Sequence, residues 1–351
     1  MKTIPEPTTG RLKWHERKER TVWIVSDGKA GHEAQCLGVA AALGTEPVIK
    51  RVTPKGICKL AAPWGPVATS ERFGQPGSQF APPWPTIALA TGRTTIPYLR
   101  ALKRHAGLQT MTVILMDPRT RLSSADLIWV PQHDELRGPN VIATLTAPHV
   151  YSRARIDALR ASLPPEIANL PRPRFAVLIG GPNAAYRYPP ADIERLKASI
   201  TSLVASGAGV MVTTSRRTPS ELTEALSAAT AHKNCHFWNG QGKNMYPEFL
   251  AHADSFIVTA DSVSMTCEAV STGQPIYVFT PSGKGGKFAR FHAALRKHGA
   301  TRELPERMTN IVSDRDTWTY EPLNSAQIIA DEIVRRWEAR AQMIPGLMER
   351  A

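Results

Sequence analysis

Cysteine is scarce in this chain: four in 351 residues (Cys36, Cys58, Cys235 and Cys267), far apart and with no C-x-x-C pair. That argues against a disulfide framework and a zinc module, and for a reducing cytosol. Long apolar runs are also lacking. No stretch approaches the roughly 18 residues that span a bilayer, which argues against an integral membrane protein. Residues 1–20 (MKTIPEPTTGRLKWHERKER) are charged and proline-containing, without a signal peptide's apolar centre, and read as a polar leader. No helix-turn-helix, RNP-like aromatic motif or zinc module is visible, so nucleic acid is not an expected partner. No G-x-G-x-x-G follows the first apolar run, and there is no HExxH and no convincing DxD-type loop. Neither a nicotinamide fingerprint nor a metal site is therefore expected.

What is present is a 42% hydrophobic chain, enough for packed cores, at a length that favours two domains. It carries 43 Lys plus Arg against 30 Asp plus Glu, a net charge of +13. The excess is uneven: residues 1–170 hold 22 basic and 13 acidic side chains, and residues 171–351 hold 21 and 17. A basic surface attracts phosphorylated ligands or anionic lipid. The Trp64 and Trp84 loop in the more basic half adds interfacial aromatics.

Apolar, β-branched runs at 21–25, 48–52, 86–90, 111–116 and 127–130 predict strands, several ending in polar or glycine loops. Residues 26–31 predict a glycine turn, followed by a helix to 43. A helix is predicted over 97–105. Residues 61–85, rich in Pro, Gly and aromatics, predict a long functional or disordered loop. A Pro-rich linker at 163–174 precedes a second series. Strands there are predicted at 175–179, 209–213, 236–238, 255–259 and 275–279, and helices at 191–206, 221–229, 245–253 and 264–271, with an amphipathic helix over 325–343. The fold class is α/β, with two Rossmann-like domains facing across a cleft. Boundaries follow as 1–20 leader, 21–165 amino-terminal domain, 175–325 carboxyl-terminal domain and 326–351 terminal helix.

The densest chemistry lies in DSFIVTADSVSMTCEAVSTGQPIYVF (254–279). A strand ends at Thr259, Asp261, Ser262 and Val263 turn, and a helix starts near Ser264 and Met265. Unsatisfied amides at a helix start suit a diphosphate, and Ser262 or Ser264 can cap that start or bond phosphate oxygens. Glu268, one turn on, can accept from ribose hydroxyls. Here the chain resembles the GT-B glycosyltransferases, whose donor half presents a small-residue turn, a Ser/Thr helix start, a Glu one turn later and Gly-x-Pro before a strand. The bland alternative is plain helix capping with a solvated Glu268.

Other runs resemble one family, the ELM1-type proteins, named for mitochondrial fission in plants and common in bacteria, where they carry a glycosyltransferase label. The matching stretches are SDGKAGHEAQCLGVAAAL (26–43), ALATGRTTIP (88–97), VPQHDELRGPNVIATLTAPH (131–149), VLIGGPNAAYRY (177–188), TTSRRTP (213–219) and 244–279. The resemblance implies a GT-B-like fold and a sugar-transfer role and leaves the reaction open. Joined to the basic, Trp-bearing amino-terminal half and the missing metal motifs, it gives transfer of a sugar from a nucleoside-diphosphate sugar to a cell-envelope or lipid-linked acceptor, without a metal or other cofactor. Bacterial relatives are also labelled nucleoside-diphosphate-sugar epimerases, a label that fits poorly with the missing NAD fingerprint. A non-catalytic, membrane-associated interaction protein is the alternative.

On that footing, Asp27, Gly28, Lys29, Gly31 and His32 border the acceptor, with His32 as general base. Their alternative role is to cap the turn and helix. His133 beside Asp134 is a second base candidate, with Asp117 and Arg119 ranked alongside. Gly180, Gly181 and Asn183 open the donor half. Ser215 and Arg216, with Arg217, end a strand where an arginine can neutralise a leaving diphosphate. Lys287, with Lys284 and Arg290, forms a second phosphate clamp or a flexible basic loop. Asn244, Met245 and Tyr246 border the base or join the core. The expected location is cytoplasmic, peripheral at the inner face of the membrane.

Overall fold

The computed structural model describes Trp14 and residues 20–305 and 318–343. Of the leader expected at 1–20, only Trp14 and Arg20 lie among the described residues, and of the helix expected over 326–351 only the part up to 343. The described residues form two compact units. The first comprises the chain up to Val130, Leu136–Ala143 and the chain from Ala326; the second comprises Pro131–Glu135 and Thr144–Ser325.

In the first unit the chain runs β1 (Val22–Ser26), α1 (Ala30–Ala42), β2 (Val48–Arg51), α2 (Gly56–Ala61), β3 (Ile87–Thr91), α3 (Ile96–Ala106), β4 (Met111–Leu115), β5 (Leu127–Pro131) and β6 (Val141–Thr144). The sheet order is β2-β1-β3-β4-β5-β6. β1 pairs in parallel with β2 and β3, β3 with β4, and β4 with β5. β1, β3, β4 and β5 are buried at every position, which is why they read as continuous apolar runs and not as alternating ones. The segment expected as a long functional or disordered loop at 61–85 packs its aromatics. Phe73 stacks on the buried Phe80 at 4.8 Å, and Trp84 meets Trp23 edge-on at 6.2 Å. These rings cover one face of the sheet with Tyr98, Leu99 and Leu102 of α3.

The second unit continues with α4 (Arg153–Arg160), α5 (Pro165–Ala168), β7 (Arg174–Ile179), β8 (Tyr186–Arg187), α6 (Pro190–Ala205), β9 (Gly209–Thr214), α7 (Ser220–Ala229), β10 (Cys235–Trp238), α8 (Tyr246–His252), β11 (Ser255–Thr259), α9 (Val263–Val270), β12 (Ile276–Phe279), β13 (Ser282–Gly283), α10 (Lys287–His298) and β14 (Thr301–Glu303). Its main sheet is ordered β10-β9-β7-β11-β12-β14, with every neighbouring pair parallel. Both faces are filled. Phe175, Val177 and Ile179 of β7 join one core, and Ala176 and Leu178 the other, as the two-residue period of a strand requires. Sequence reading missed β6, β8, β13, β14, α2, α4, α5 and α10, each short or too polar to show as an apolar run; α5 falls in the stretch expected as a linker.

The last helix, α11 (Ser325–Met343), places almost its whole length in the first unit. Ile329, Ile333 and Trp337, spaced by four, form its buried stripe. Trp337 meets Trp14 edge-on at 5.7 Å, and Trp14 Nε1 donates to the Leu43 carbonyl at 3.0 Å. Arg340 pairs with Asp126 at 2.9 Å and donates to the Thr110 carbonyl. Burial would raise the Asp126 carboxyl, but the Thr112 amide, Arg340 and Lys103 together hold it below its ordinary value. Trp337→Ala is expected to destabilise the fold by about 3–5 kcal/mol through lost burial and a residual cavity. Ile328→Ala, half-exposed on the same helix, is expected to change it by less than about 1 kcal/mol. Urea unfolding of both variants checks this.

Candidate functional site

In a doubly wound sheet, the carboxyl ends of two neighbouring strands whose connections leave in opposite directions open a crevice for ligands. In the second unit those strands are β7 and β11. The loop after β7 carries Gly180, Gly181 and Asn183, and the loop after β11 carries Asp261 and Ser262. The two loops are stitched together. Gly180 N–H donates to the Thr259 hydroxyl at 2.8 Å, and Gly181 N–H to Asp261 Oδ2 at 2.6 Å. Tyr188 O–H also donates to the Asp261 carboxylate, and Arg217 lies 3.7 Å from it. A side chain cannot replace either glycine hydrogen: a Cβ would lie 2.0 Å from Asp261 Oδ2 at Gly180 and 2.2 Å from the Arg217 carbonyl oxygen at Gly181.

In this geometry three residues expected at the donor make their bonds within the protein. The Asp261 side chain is fully buried and turned to its own protein, because a carboxylate in that position must collect its donors internally. Burial pushes its carboxyl up, against the bonds from Tyr188 and Gly181. Asn183 is likewise committed: its Oδ1 accepts from the amides of Ala185 and Tyr186, and its Nδ2 donates to the Asp261 carbonyl. Ser215 bonds Thr218 and the Arg217 amide within its own turn. Of the two arginines, Arg217 is the structural one, donating to the Gly181 and Pro182 carbonyls. Arg216 is exposed. Sequence reading missed Tyr188 and could not tell Arg217 from Arg216, since both roles depend on contacts many residues away.

α9 starts at Val263, with Ser262 in the cap position, and neither Ser262 nor any other side chain caps it. The expected capping role of Ser262 or Ser264 is therefore absent, and Ser264 is exposed. The first amides of α9, those of Val263, Ser264 and Met265, are left without helical partners at the crevice. Glu268, one turn along, is half-buried and accepts from Tyr246 O–H. Burial pushes its carboxyl up to about 7 despite that bond. His292 of α10 holds the β11 loop from behind, its Nε2 2.8 Å from the Ala260 carbonyl.

α10 begins at Lys287, so this lysine sits in a first helical turn and not in a flexible loop. Two of the preceding glycines are close to their neighbours: a Cβ on Gly283 would lie 1.9 Å from the Ala185 carbonyl oxygen, and one on Gly285 2.9 Å from the Ala289 Cβ. His133, expected in the amino-terminal domain, belongs to the second unit, because residues 131–135 cross into it. Its ring meets Phe291 of α10 at 5.9 Å, and its Nδ1 has no hydrogen-bond partner. Burial lowers its pKa, with Lys287 and Arg290 adding to the effect and Asp134 opposing it. His133 therefore stands among cations of its own unit, and Asp27 and His32 belong to the first.

The first unit has its own crevice at β1 and β3. His32 Nδ1 lies 3.0 Å from Asp27 Oδ1, with the Asp27 side chain only 7% exposed. Burial raises the Asp27 carboxyl, but the charge and hydrogen bond of His32 and the Lys29 amide outweigh it and hold the pKa below the ordinary value. Gly92, after β3, has φ +93°, and a Cβ there would lie 2.8 Å from His32 Nδ1 and 2.9 Å from Asp27 Oδ2. Only glycine leaves room for this pair; a lone glycine at a strand end was the available signal. Ser26 donates to Glu33, which Arg51 holds through two bonds of 2.9 and 3.1 Å. A cavity of about 260 Å³ lies against the pair, lined by His32, Gly92, Arg93, Asp117 and Arg119 among others. Met116 and Arg119, at its β4 edge, hold φ of 85° and 51°, local strain of the kind that collects at functional sites.

Two such sheets in succession, each with loops gathered at its own crevice, define the GT-B-like fold. The UDP-GlcNAc 2-epimerase from Neisseria meningitidis, solved with UDP-GlcNAc, superposes with a TM-score of 0.52 at 11% identity, covering 90% of this chain and 100% of that one. The UDP-GlcNAc 2-epimerase from Methanocaldococcus jannaschii gives 0.51 at 10% identity, covering 91% and 99%. At that identity the likeness carries the fold and not the reaction, and the missing NAD fingerprint argues only against a nicotinamide-dependent epimerase. The model of the family described as mitochondrial fission ELM1 matches residues 30–337, and the chain belongs to that family. The mitochondrial fission protein ELM1 of Arabidopsis thaliana is 27% identical over 92% of each chain.

The Glu268 carboxyl makes a signed prediction. Its folded pKa of about 7 exceeds its ordinary 4.5, so the stability it contributes is complete below 4.5, is lost as the pH rises, and is gone above about 7. Glu268→Gln is expected to exceed the native chain in stability by about 2 kcal/mol above neutrality and to match it near the lower value. Urea unfolding across that range measures the difference; a constant difference would contradict the assignment.

Proposed function

We propose that the protein is a glycosyltransferase whose second unit binds a nucleoside-diphosphate sugar and whose first unit binds a lipid-linked or otherwise anionic acceptor. The observation that carries this reading is the uncapped start of α9 beside the Gly180–Gly181 loop, with Glu268 one turn further on. Free amides and the helix dipole suit a diphosphate. A carboxylate already accepting from Tyr246 retains acceptor capacity for two ribose hydroxyls. A protein of the same fold described as bound to UDP-GlcNAc supports a nucleotide sugar as the ligand class.

In this reading Asp27 orients His32 and stabilises the imidazolium that forms. His32 takes the proton of the acceptor hydroxyl as its oxygen bonds to the anomeric carbon. The bond from that carbon to the diphosphate oxygen breaks, and the nucleoside diphosphate leaves with the electron pair. Its charge is met by the α9 amides, with Arg216 or Lys287 as the mobile cation, so no metal is required. The relationship to a plant fission protein favours a second reading, in which the fold binds its ligand without turnover.

A thermal-shift panel of UDP, GDP and CDP sugars and CMP conjugates distinguishes these outcomes. One nucleotide class is expected to raise the unfolding temperature, and Glu268→Ala to weaken that ligand about tenfold. No shift from any of them in the folded protein would refute the donor site. His32→Ala is expected to lower turnover at least about 100-fold with donor affinity unchanged. Retained turnover would reject His32, and nucleotide binding with no transfer or epimerisation would favour the second reading.

A further inference from the structure

The three most exposed large apolar side chains among the described residues are Ile57, Leu60 and Trp64, at 82%, 77% and 61% exposure. All fall on α2 and the turn after it. Ile57 and Leu60, three residues apart, share one helix face. Trp84, expected to act with Trp64, is instead packed against Trp23 and Phe73. This stretch is firmly mounted. Arg93 donates to the carbonyls of Lys59 and Ala62 at 3.1 and 2.8 Å, and Arg100 to those of Pro63 and Trp64 at 3.0 and 2.9 Å.

The surroundings are cationic. Residues 55–65, 93–105 and 119–124 contain eight Lys or Arg and no Asp or Glu. Beside Trp64 a cavity of about 440 Å³ is lined by Arg100, Lys103, Arg104 and Arg121, with Thr120, Ser123 and Ser124 adding polar groups. Lys103 pairs with Asp126 at 3.0 Å, whereas Arg104 and Arg121 are exposed.

We propose that this face docks onto an anionic phospholipid bilayer. Ile57, Leu60 and Trp64 enter the interfacial layer, and the arginine-lined cavity takes a headgroup phosphate. The charge complementarity names the occupant: apolar side chains that protrude amid cations match a surface that is apolar within and anionic at its rim. A soluble anion would use the cations and leave the apolar trio in water. No described helix is long and apolar enough to cross a membrane, so contact by this face is peripheral. Arg93 also lines the cavity against His32, which puts the docking face next to the candidate acceptor site. Delivery of a lipid-linked acceptor there rests on the proposed transfer reaction; docking itself does not.

Flotation of the full chain with phosphatidylcholine vesicles, with and without about 30 mol% phosphatidylglycerol, tests the inference. The native chain is expected to float with the anionic vesicles. The variant Ile57→Glu, Leu60→Glu, Trp64→Glu is expected to lose at least about tenfold in affinity, and Arg104→Glu with Arg121→Glu about tenfold. The replaced side chains are exposed, and unchanged unfolding temperatures confirm that the variants fold. No flotation of the native chain, or equal flotation of the variants, overturns the proposal. So does a dimer in sedimentation that the triple variant abolishes, together with absent flotation, since the face would then belong to a second copy. Nucleotide affinity, read on the same samples, is expected to stay unchanged; vesicle binding without nucleotide binding would remove the donor reading and leave the docking face standing.

Discussion

A carboxylate shut away from water has to be met by donors of its own protein, and Asp261 is where that requirement organises the second unit. Its oxygens take the Gly181 amide and the Tyr188 hydroxyl, while Arg217 approaches the same group and also holds the Gly181 and Pro182 carbonyls. The cost of burying a charge is offset only if all of these partners are in place. The loop after β7 and the loop after β11 are thereby fixed against one another. The glycines at 180 and 181 follow from this, since any side chain would occupy the space of the carboxylate or of the Arg217 backbone. What remains without a side-chain cap is the start of α9.

The first unit solves a similar problem with a smaller network. Asp27 holds His32, and Gly92 yields the room in which the two meet. Ser26, Glu33 and Arg51 tie the same turn to α1 and β2. In both units the polar groups gather where the direction of winding reverses, because only there do neighbouring loops leave a gap. The chemistry of each crevice differs. One offers free amides and a carboxyl pushed up to about 7; the other offers a carboxylate held low beside an imidazole.

The basic excess of the amino-terminal half gains a specific setting in the structure. Part of it is spent on the fold: Arg93 and Arg100 hold the turn after α2, and Lys103, joined by Arg340 from the last helix, answers Asp126. Another part, at Arg104 and Arg121, stays exposed around Trp64. Electrostatic attraction and apolar contact thus arise on one short, well-anchored element.

Much of this was legible in the sequence. Buried parallel strands need apolar side chains on both faces, so β1, β3, β4, β5, β7, β9 and β11 stood out as runs, and the glycine and serine turns after them marked the crevice loops. Local signals could not tell which polar side chains face a ligand. Asn183, Ser215 and Asp261 had suitable chemistry but are consumed by the fold, and Arg216 and Arg217 are neighbours with opposite fates. The passage of His133 into the second unit and the packing of the 61–85 aromatics depend on contacts distant in sequence. The sequence by itself determined the buried strands, most of the longer helices and their alternation, because these rest on periodicity and local turn chemistry, and it carried the runs that resemble the family. Strand order, the occupancy of each donor and acceptor, and the exposure of Ile57, Leu60 and Trp64 were decided by the tertiary structure, because each depends on what lies across space.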